Sequence, residues 1–171
     1  MGIVFREIGS RVPWNEKLEE EDWLSDEDIR ADALKSFKSD HNTLSVYVYE
    51  DVTHIKRIIG AFCAARDNVS KLDYALFDES LLNDIKVLQE ATPAINVPDS
   101  EVANWHRDLV KLSGTKVLEL AKIIKQKGEI KRAQDVEVGK AINKLITLKL
   151  IDETKLKASL IADLKKERYQ N

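Results

Sequence analysis

The stretch "NTLSVYVYED" at residues 42–51, followed at once by "VTHIKRIIGAFCAARD" at 52–67, decides how this chain is read. The first half alternates: Leu44, Val46 and Val48 fall on one side, and Thr43, Ser45, Tyr47 and Tyr49 on the other, the period of a strand rich in β-formers. The second half changes period. Ile55, Ile58, Ile59, Phe62 and Ala65 recur at three- and four-residue spacing, the apolar stripe of a helix that Asp51 or Thr53 can cap. "KLDYALFD" at 71–78 then supplies a second strand. Strand, helix, strand with about 20 residues between is the length of a right-handed parallel βαβ unit, since antiparallel neighbours can be joined by a far shorter loop. The pattern predicts residues 43–50 and 72–77 as neighbouring parallel strands, with the helix 52–66 packed on one face.

Outward from this core, "GIVFREI" at 2–8 offers another strand. "ESLLNDIKVLQEA" at 79–91 reads as a helix through Leu82, Ile85 and Leu88, although Ile85 and Val87 also suit a strand. Pro93 and Pro98 in "TPAINVPDS" break regular structure and divide the chain into an acidic α/β part at 1–98 and a helical, basic part at 99–171, expected to pack as one compact unit. In the second part Asp99 or Ser100 caps a helix with Val102, Trp105, Leu109 and Leu112 on one face. "KVLELAKIIKQKG" and "DVEVGKAINKLITLKL" give two more, and Asp152 caps a fourth with Leu156, Leu160, Ile161 and Leu164. The expected fold class is α+β: a small sheet with a βαβ unit, then a C-terminal all-helical part of about four helices.

A chain of 171 residues, 43% hydrophobic and 33% charged, can bury one good core and lies outside the disordered and membrane classes. Its longest apolar run, "IIGAFCAA" at 58–65, is far short of the roughly 20 residues that span a bilayer. The start "MGIVFREIGS" lacks the basic and apolar regions of a signal peptide, and Arg6 stands where a myristoylation motif has Ser or Thr. With a lone Cys63, these features predict a cytoplasmic chain.

The net charge of −3 hides a split. Residues 1–113 hold 13 Lys/Arg against 22 Asp/Glu, a balance of −9, and residues 114–171 hold 14 against 8, a balance of +6. Such asymmetry points the basic part towards nucleic acid and the acidic part towards a basic partner, and it also suits two parts that pack on each other. The acidic extreme is "EKLEEEDWLSDED" at 16–28, where eight carboxylates and one lysine surround Trp23. Like charges at that density oppose a strand or an isolated helix, so the run reads as a loop that Trp23, Leu18 and Leu24 pin to the body or to a partner. As a partner-binding hook, Trp23 is the anchor, and Glu19, Glu20, Glu21, Asp22 and Asp26 steer a basic protein towards it.

Three other groupings carry chemistry. "AKIIKQKGEIKRAQDVEVGKAINKLITLKLID" at 121–152 resembles, in rhythm only, a winged-helix or helix-turn-helix domain, which implies Lys125, Lys131, Arg132, Lys140 and Lys144 as phosphate contacts. Against it, the segment after Gly128 is too short for a middle helix, and no aromatic interleaves the lysines. At the carboxyl ends of the two strands lie Glu50, Asp51, Asp78 and Glu79, with His54 one turn into the intervening helix, the position where open α/β sheets hold ligands. Asp is equally an ordinary helix cap, so these residues form only a weak cleft and no metal site is assigned. In "NWHRD" at 104–108, Trp105 and His106 read as packing.

His41, His54 and His106 form no zinc-type pair, Cys63 has no helical neighbour that is a base, and GxSxG, GxGxxG and P-loop patterns are absent, so neither a catalytic residue nor a cofactor is expected. The expected function is a non-catalytic cytoplasmic interaction or regulatory module offering an acidic surface to a basic protein partner, like antitoxin or immunity proteins in charge style and size. A nucleic-acid binder using the basic C-terminal helices is the second expectation, and a small enzyme with strand-end carboxylates the third.

Overall fold

The computed structural model describes residues 2–15, 28–37 and 41–169. In chain order the elements are β1 (Ile3–Glu7), α1 (Val12–Asn15), α2 (Ala31–Leu34), β2 (Leu44–Tyr49), α3 (Ile55–Cys63), β3 (Leu72–Asp78), α4 (Ser80–Asp84), β4 (Leu88–Ala91), α5 (Ser100–Asn104), β5 (His106–Val110), α6 (Gly114–Lys127), β6 (Glu129–Ala133), α7 (Asp135–Thr147) and α8 (Ala158–Leu164). The class is α+β. The strands form one sheet in the order β4-β5-β2-β1-β3-β6. None of the described helices is long and apolar enough to cross a membrane.

The strand–helix–strand reading is right in its elements and wrong in one adjacency. β1 pairs antiparallel with β2, placing Val4 opposite Val48, and antiparallel with β3, placing Phe5 opposite Leu76. β2 and β3 therefore run parallel, but β1 lies between them, so 43–50 and 72–77 are not neighbours. The reason is apolar: Val4 and Phe5 are each 0% exposed, and a strand that buries both faces belongs in the middle of a sheet. A crossover of about 20 residues reaches an adjacent strand and the next one equally well, so its length could not separate the two topologies.

The all-helical expectation for the C-terminal part is also corrected, because it contains β5 and β6. The run that placed Val102, Trp105, Leu109 and Leu112 on one helix is cut at Trp105, the C-cap of the five-residue α5. From His106 the chain is extended, and Ser45 Oγ donates to Asp108 at 3.2 Å. Pairing in the sheet outweighs the weak local preference of "HRDLV". "ESLLNDIKVLQEA" splits in the same way, into α4 and then β4.

Two compact units emerge, and they interleave along the chain. Unit one comprises Met1–Glu50, Asp73–Glu90 and Arg107–Lys131. It holds almost all of the sheet, with α6 and the short α1, α2 and α4. Its main core gathers Val4, Leu44, Val46, Phe77, Leu109, Leu120 and Ile124, with Trp14 meeting Phe37 edge-on at 5.8 Å. Phe5 stacks on Tyr74 at 5.1 Å and meets Tyr47 edge-on, and all three rings are buried. Unit two comprises Asp51–Leu72, Ala91–His106 and Arg132–Asn171, with α3, α5, α7 and α8. In it, Ile58, Ile59, Val138, Ile142, Leu160 and Leu164 are buried. α3 approaches α7 at Gly60, where an added Cβ would lie 2.9 Å from the Leu145 side chain and 3.0 Å from the Ala141 backbone. By sequence, unit one carries 14 Lys/Arg against 20 Asp/Glu, a balance of −6, and unit two 13 against 10, a balance of +3.

Candidate partner-binding site

The most fully built polar cluster joins residues far apart in the sequence of unit two. Asp51 opens a 3-10 turn, Val52–His54, by accepting a hydrogen bond from Thr53 N at 2.8 Å, and α3 follows directly. This sets His54 and Arg57 one turn apart. In the second segment, Pro98 ends the preceding loop and Asp99 caps α5, its carboxylate accepting from Glu101 N at 3.1 Å and Val102 N at 3.2 Å. Trp105 terminates that helix.

The two segments meet through Arg57. Its Nε donates to Asp99 Oδ2 at 2.7 Å and its Nη2 to Asp99 Oδ1 at 2.9 Å, a bidentate fork on a carboxylate whose side chain is only 2% exposed. Nη1 pairs with Glu101 at 2.6 Å. The Asp99 carboxylate, and Glu101 after it, hold the Arg57 guanidinium above its ordinary pKa despite partial burial. The guanidinium lies 5.6 Å from the centre of the Trp105 ring, and the His54 ring stacks on Trp105 at 4.9 Å and 17°. Trp105 is partly exposed, and Val52, 59% exposed, leads into His54. The result is a partly exposed tryptophan whose rotamer is fixed by two neighbours, with Asp51 and Glu101 exposed nearby and Asp99 buried beneath. Hydrogen bonds from Thr53, with a smaller effect of His54, keep the Asp51 carboxyl below its usual value and hence charged.

The residues expected to carry function are distributed as follows. Trp23, Glu19, Glu20, Glu21, Asp22 and Asp26 lie outside the described residues. Of the strand-end set, Glu50, Asp78 and Glu79 belong to unit one, and Asp51 and His54 to unit two. Asp78 accepts from Ser80 N at 2.8 Å, and bonds from the Ser80 side chain and backbone lower its pKa. Glu79 accepts from Gln89 at 3.3 Å. These carboxylates cap turns and tie strands, and among the described residues no group of three or more His, Cys, Asp or Glu is placed to hold a metal.

The basic set divides similarly. Lys125 and Lys131 are in unit one, where Lys125 Nζ donates to the Asp28 carbonyl and Lys131 pairs with Glu129. Arg132, Lys140 and Lys144 are in unit two, the two lysines exposed and one turn apart on α7. His106 is buried with Nδ1 against the Thr92 carbonyl, and Cys63 is buried.

No protein-family model matches this chain, nor does any curated protein or solved structure. Sequence reading found Asp51 and His54, and named Trp105 as packing, but passed over Arg57, Asp99 and Glu101 as a set. The signal was present: an Asp that caps a helix can still offer an oxygen to an arginine from elsewhere.

Proposed function

We propose that this chain is a non-catalytic interaction module that presents aromatic anchors ringed by carboxylates to a basic protein partner. The observation that carries this reading is Trp105, partly exposed, stacked on His54 and near Arg57, with the exposed Glu101 carboxylate paired to that arginine and the exposed Asp51 capping the turn that carries His54. Tryptophan and arginine dominate interface hot spots, and an anchor fixed before binding loses little side-chain entropy on contact. In sequence, Trp23 has the same residue types beside it, with Glu19, Glu20, Glu21, Asp22 and Asp26 flanking it along the chain. Trp23 falls in unit one, whose −6 balance favours the approach of a basic surface.

The test is kinetic. A basic partner captured by the tagged chain is passed over immobilised wild type and variants. Trp105→Ala and Trp23→Ala are expected to raise the dissociation rate, each by about tenfold or more. Neutralising Glu19, Glu20, Glu21, Asp22 and Asp26 together is expected to slow association and flatten its salt dependence. Unchanged kinetics in all three variants refutes the reading.

A second reading, nucleic-acid binding, is favoured by one feature of unit two: Lys140 and Lys144 project from α7 one turn apart in a unit of net charge +3. Under it, Lys140→Glu with Lys144→Glu abolishes retention of nucleic acid and reduces the salt slope. Nuclease treatment before capture separates this outcome from the first.

A further inference from the structure

We propose that the cavity beside the C-terminal end of β1 binds a small zwitterion of the α-amino-acid type, its carboxylate taken by Arg6 and its ammonium set against Glu7. The cavity lies within unit one and has a volume of about 600 Å³, within the range of small-molecule sites. Its lining includes Arg6, Glu7, Ser10, Asp32, Lys35 and Ser36.

The guanidinium of Arg6 is the group that lacks a counterpart. β1 is paired on both sides, and Arg6 near its end is half-buried. Two main-chain carbonyls hold it, Nη1 donating to Ser45 O at 2.8 Å and Nη2 to Ser36 O at 3.0 Å, while Nε is buried with no partner among the described residues. Two of the five N–H groups of a guanidinium are thus used, and three remain. Among the described residues Arg6 makes no ion pair: Lys35 is the group that takes Asp32, at 2.6 Å, and Glu7 acts on Arg6 without such a contact. Burial lowers the Arg6 pKa, and Glu7 offsets only part of that effect. The carbonyls therefore fix the cation in place but bring no countercharge, whereas arginines withdrawn from water are ordinarily paired. A carboxylate entering from the cavity supplies that charge, in the geometry that a planar fork of donors matches best.

The rest of the lining selects the class of ligand. Ser36 Oγ accepts from Gly9 N at 3.3 Å and Ser10 Oγ from Val12 N at 3.3 Å, so each hydroxyl keeps its proton to donate to a ligand oxygen. The loop that carries Ser10 is tied down before any ligand arrives, by Ile8 N donating to Asp73 O at 2.9 Å and Arg11 N to Asp73 Oδ2 at 3.0 Å. Two cations, Arg6 and Lys35, face two carboxylates, Glu7 and Asp32. A phosphate dianion would bring two negative charges to a lining with no net formal charge. A zwitterion brings none, and its ammonium meets the carboxylates that would repel a bare anion.

NMR titration of the 15N-labelled full chain reads the site directly through the Arg6 Nε–H signal, assigned by its loss in Arg6→Lys. The probes are a panel of free α-amino acids, the same acids without the amino group, methylammonium and inorganic phosphate, all at one ionic strength. At least one amino acid is expected to shift the signal saturably, with half-saturation at about 1 to 10 mM, the range for a ligand of few atoms. Its deaminated acid is expected to bind about fivefold or more weakly, and methylammonium and phosphate to leave the signal in place. Arg6→Lys keeps the charge without the fork, so binding, followed by backbone amide shifts, is expected to fall about tenfold or more. Glu7→Gln is expected to erase the preference for the amino acid over its deaminated acid. Circular dichroism checks that both variants are folded, and the wild-type titration stands without them. No saturable shift with any amino acid overturns the proposal and leaves Arg6 a clamp between β1, Ser45 and Ser36. Equal binding of phosphate or of the deaminated acid overturns it too, as does a preference that survives Glu7→Gln.

Discussion

Replacing Asp99 by alanine should be a costly change in unit two, and its size can be worked from the contacts. The side chain caps α5 through Glu101 N and Val102 N, and loss of such a cap costs about 1 kcal/mol. It also holds Arg57 by two short charge-assisted bonds. Removing one partner of a fully buried pair costs about 3 to 5 kcal/mol. Here Asp99 is 2% exposed but Arg57 is 20% exposed and keeps Glu101, so about 2 to 3 kcal/mol is the fitting share. The sum is about 3 to 4 kcal/mol, or a fall of roughly 10 °C in Tm for a chain of this length. Asp99→Asn can still cap α5 and should lose about half as much. Urea and thermal unfolding followed by circular dichroism give these values, and a double-mutant cycle with Arg57→Ala isolates the pair, for which a coupling of about 2 kcal/mol is expected. A loss below about 1 kcal/mol for Asp99→Ala, or a coupling near zero, would show that the cluster is a surface decoration and not a fixed scaffold for Trp105.

Other consequences are as direct. Ile58→Ala should cost about 2 to 5 kcal/mol because Ile58 is 0% exposed, and Phe62→Ala clearly less because Phe62 is partly exposed beneath Arg66; equal losses in urea unfolding would contradict this. Gly60→Ala should destabilise even though alanine favours a helix by about 1 kcal/mol, since its methyl meets Leu145 and the Ala141 backbone; a gain in Tm would deny that close approach. Burial, with Glu7 adding to it, pushes the Tyr47 phenol up to about 12, so its contribution is complete below about pH 10 and is lost from there to about pH 12, a decline that Tyr47→Phe should flatten in alkaline melts. Asp51, Asp78 and Asp163 have lowered pKa values, through hydrogen bonds from Thr53, from Ser80, and from Lys166 and Val69 respectively, so their contribution is complete above about pH 5 and is lost as pH falls through those values; stability that rises on acidification would reverse the sign.

Much of this fold was legible because periodicity reports burial. The alternation of 44–49 and the stripe of 55–63 each match an element, and Asp51, Asp99 and Asp152 each cap a helical turn as their side chains allow. What failed was what periodicity does not encode. Val4 and Phe5 are adjacent apolar residues that suit a strand buried on both faces, but two residues alone do not name its neighbours, and the pairing with β2 and β3 is what places β1 between them. β5 is drawn from a stretch whose apolar spacing fits a helix, because backbone pairing with a waiting strand costs nothing in side-chain pattern.

The candidate site was half legible for the same reason. His54 and Arg57 are three apart on one helical turn, and Asp99, Glu101 and Trp105 lie within seven residues, so each half is a local pattern. Their meeting is not, because 42 residues separate Arg57 from Asp99. What joins them is the double use of one carboxylate: Asp99 must satisfy the exposed backbone donors at the start of α5, and its remaining capacity draws in a guanidinium, which in turn covers Trp105. A carboxylate committed to a cap is fixed in position, so the arginine it holds is fixed too, and the tryptophan under that arginine has its rotamer chosen before any partner arrives. This chain of constraint predicts that Asp99→Ala should weaken partner binding chiefly through a faster dissociation rate, although Asp99 itself is too buried to be touched. A partner that binds wild type and Asp99→Ala with the same dissociation rate, in protein shown by circular dichroism to be folded, would break the link between cap and anchor.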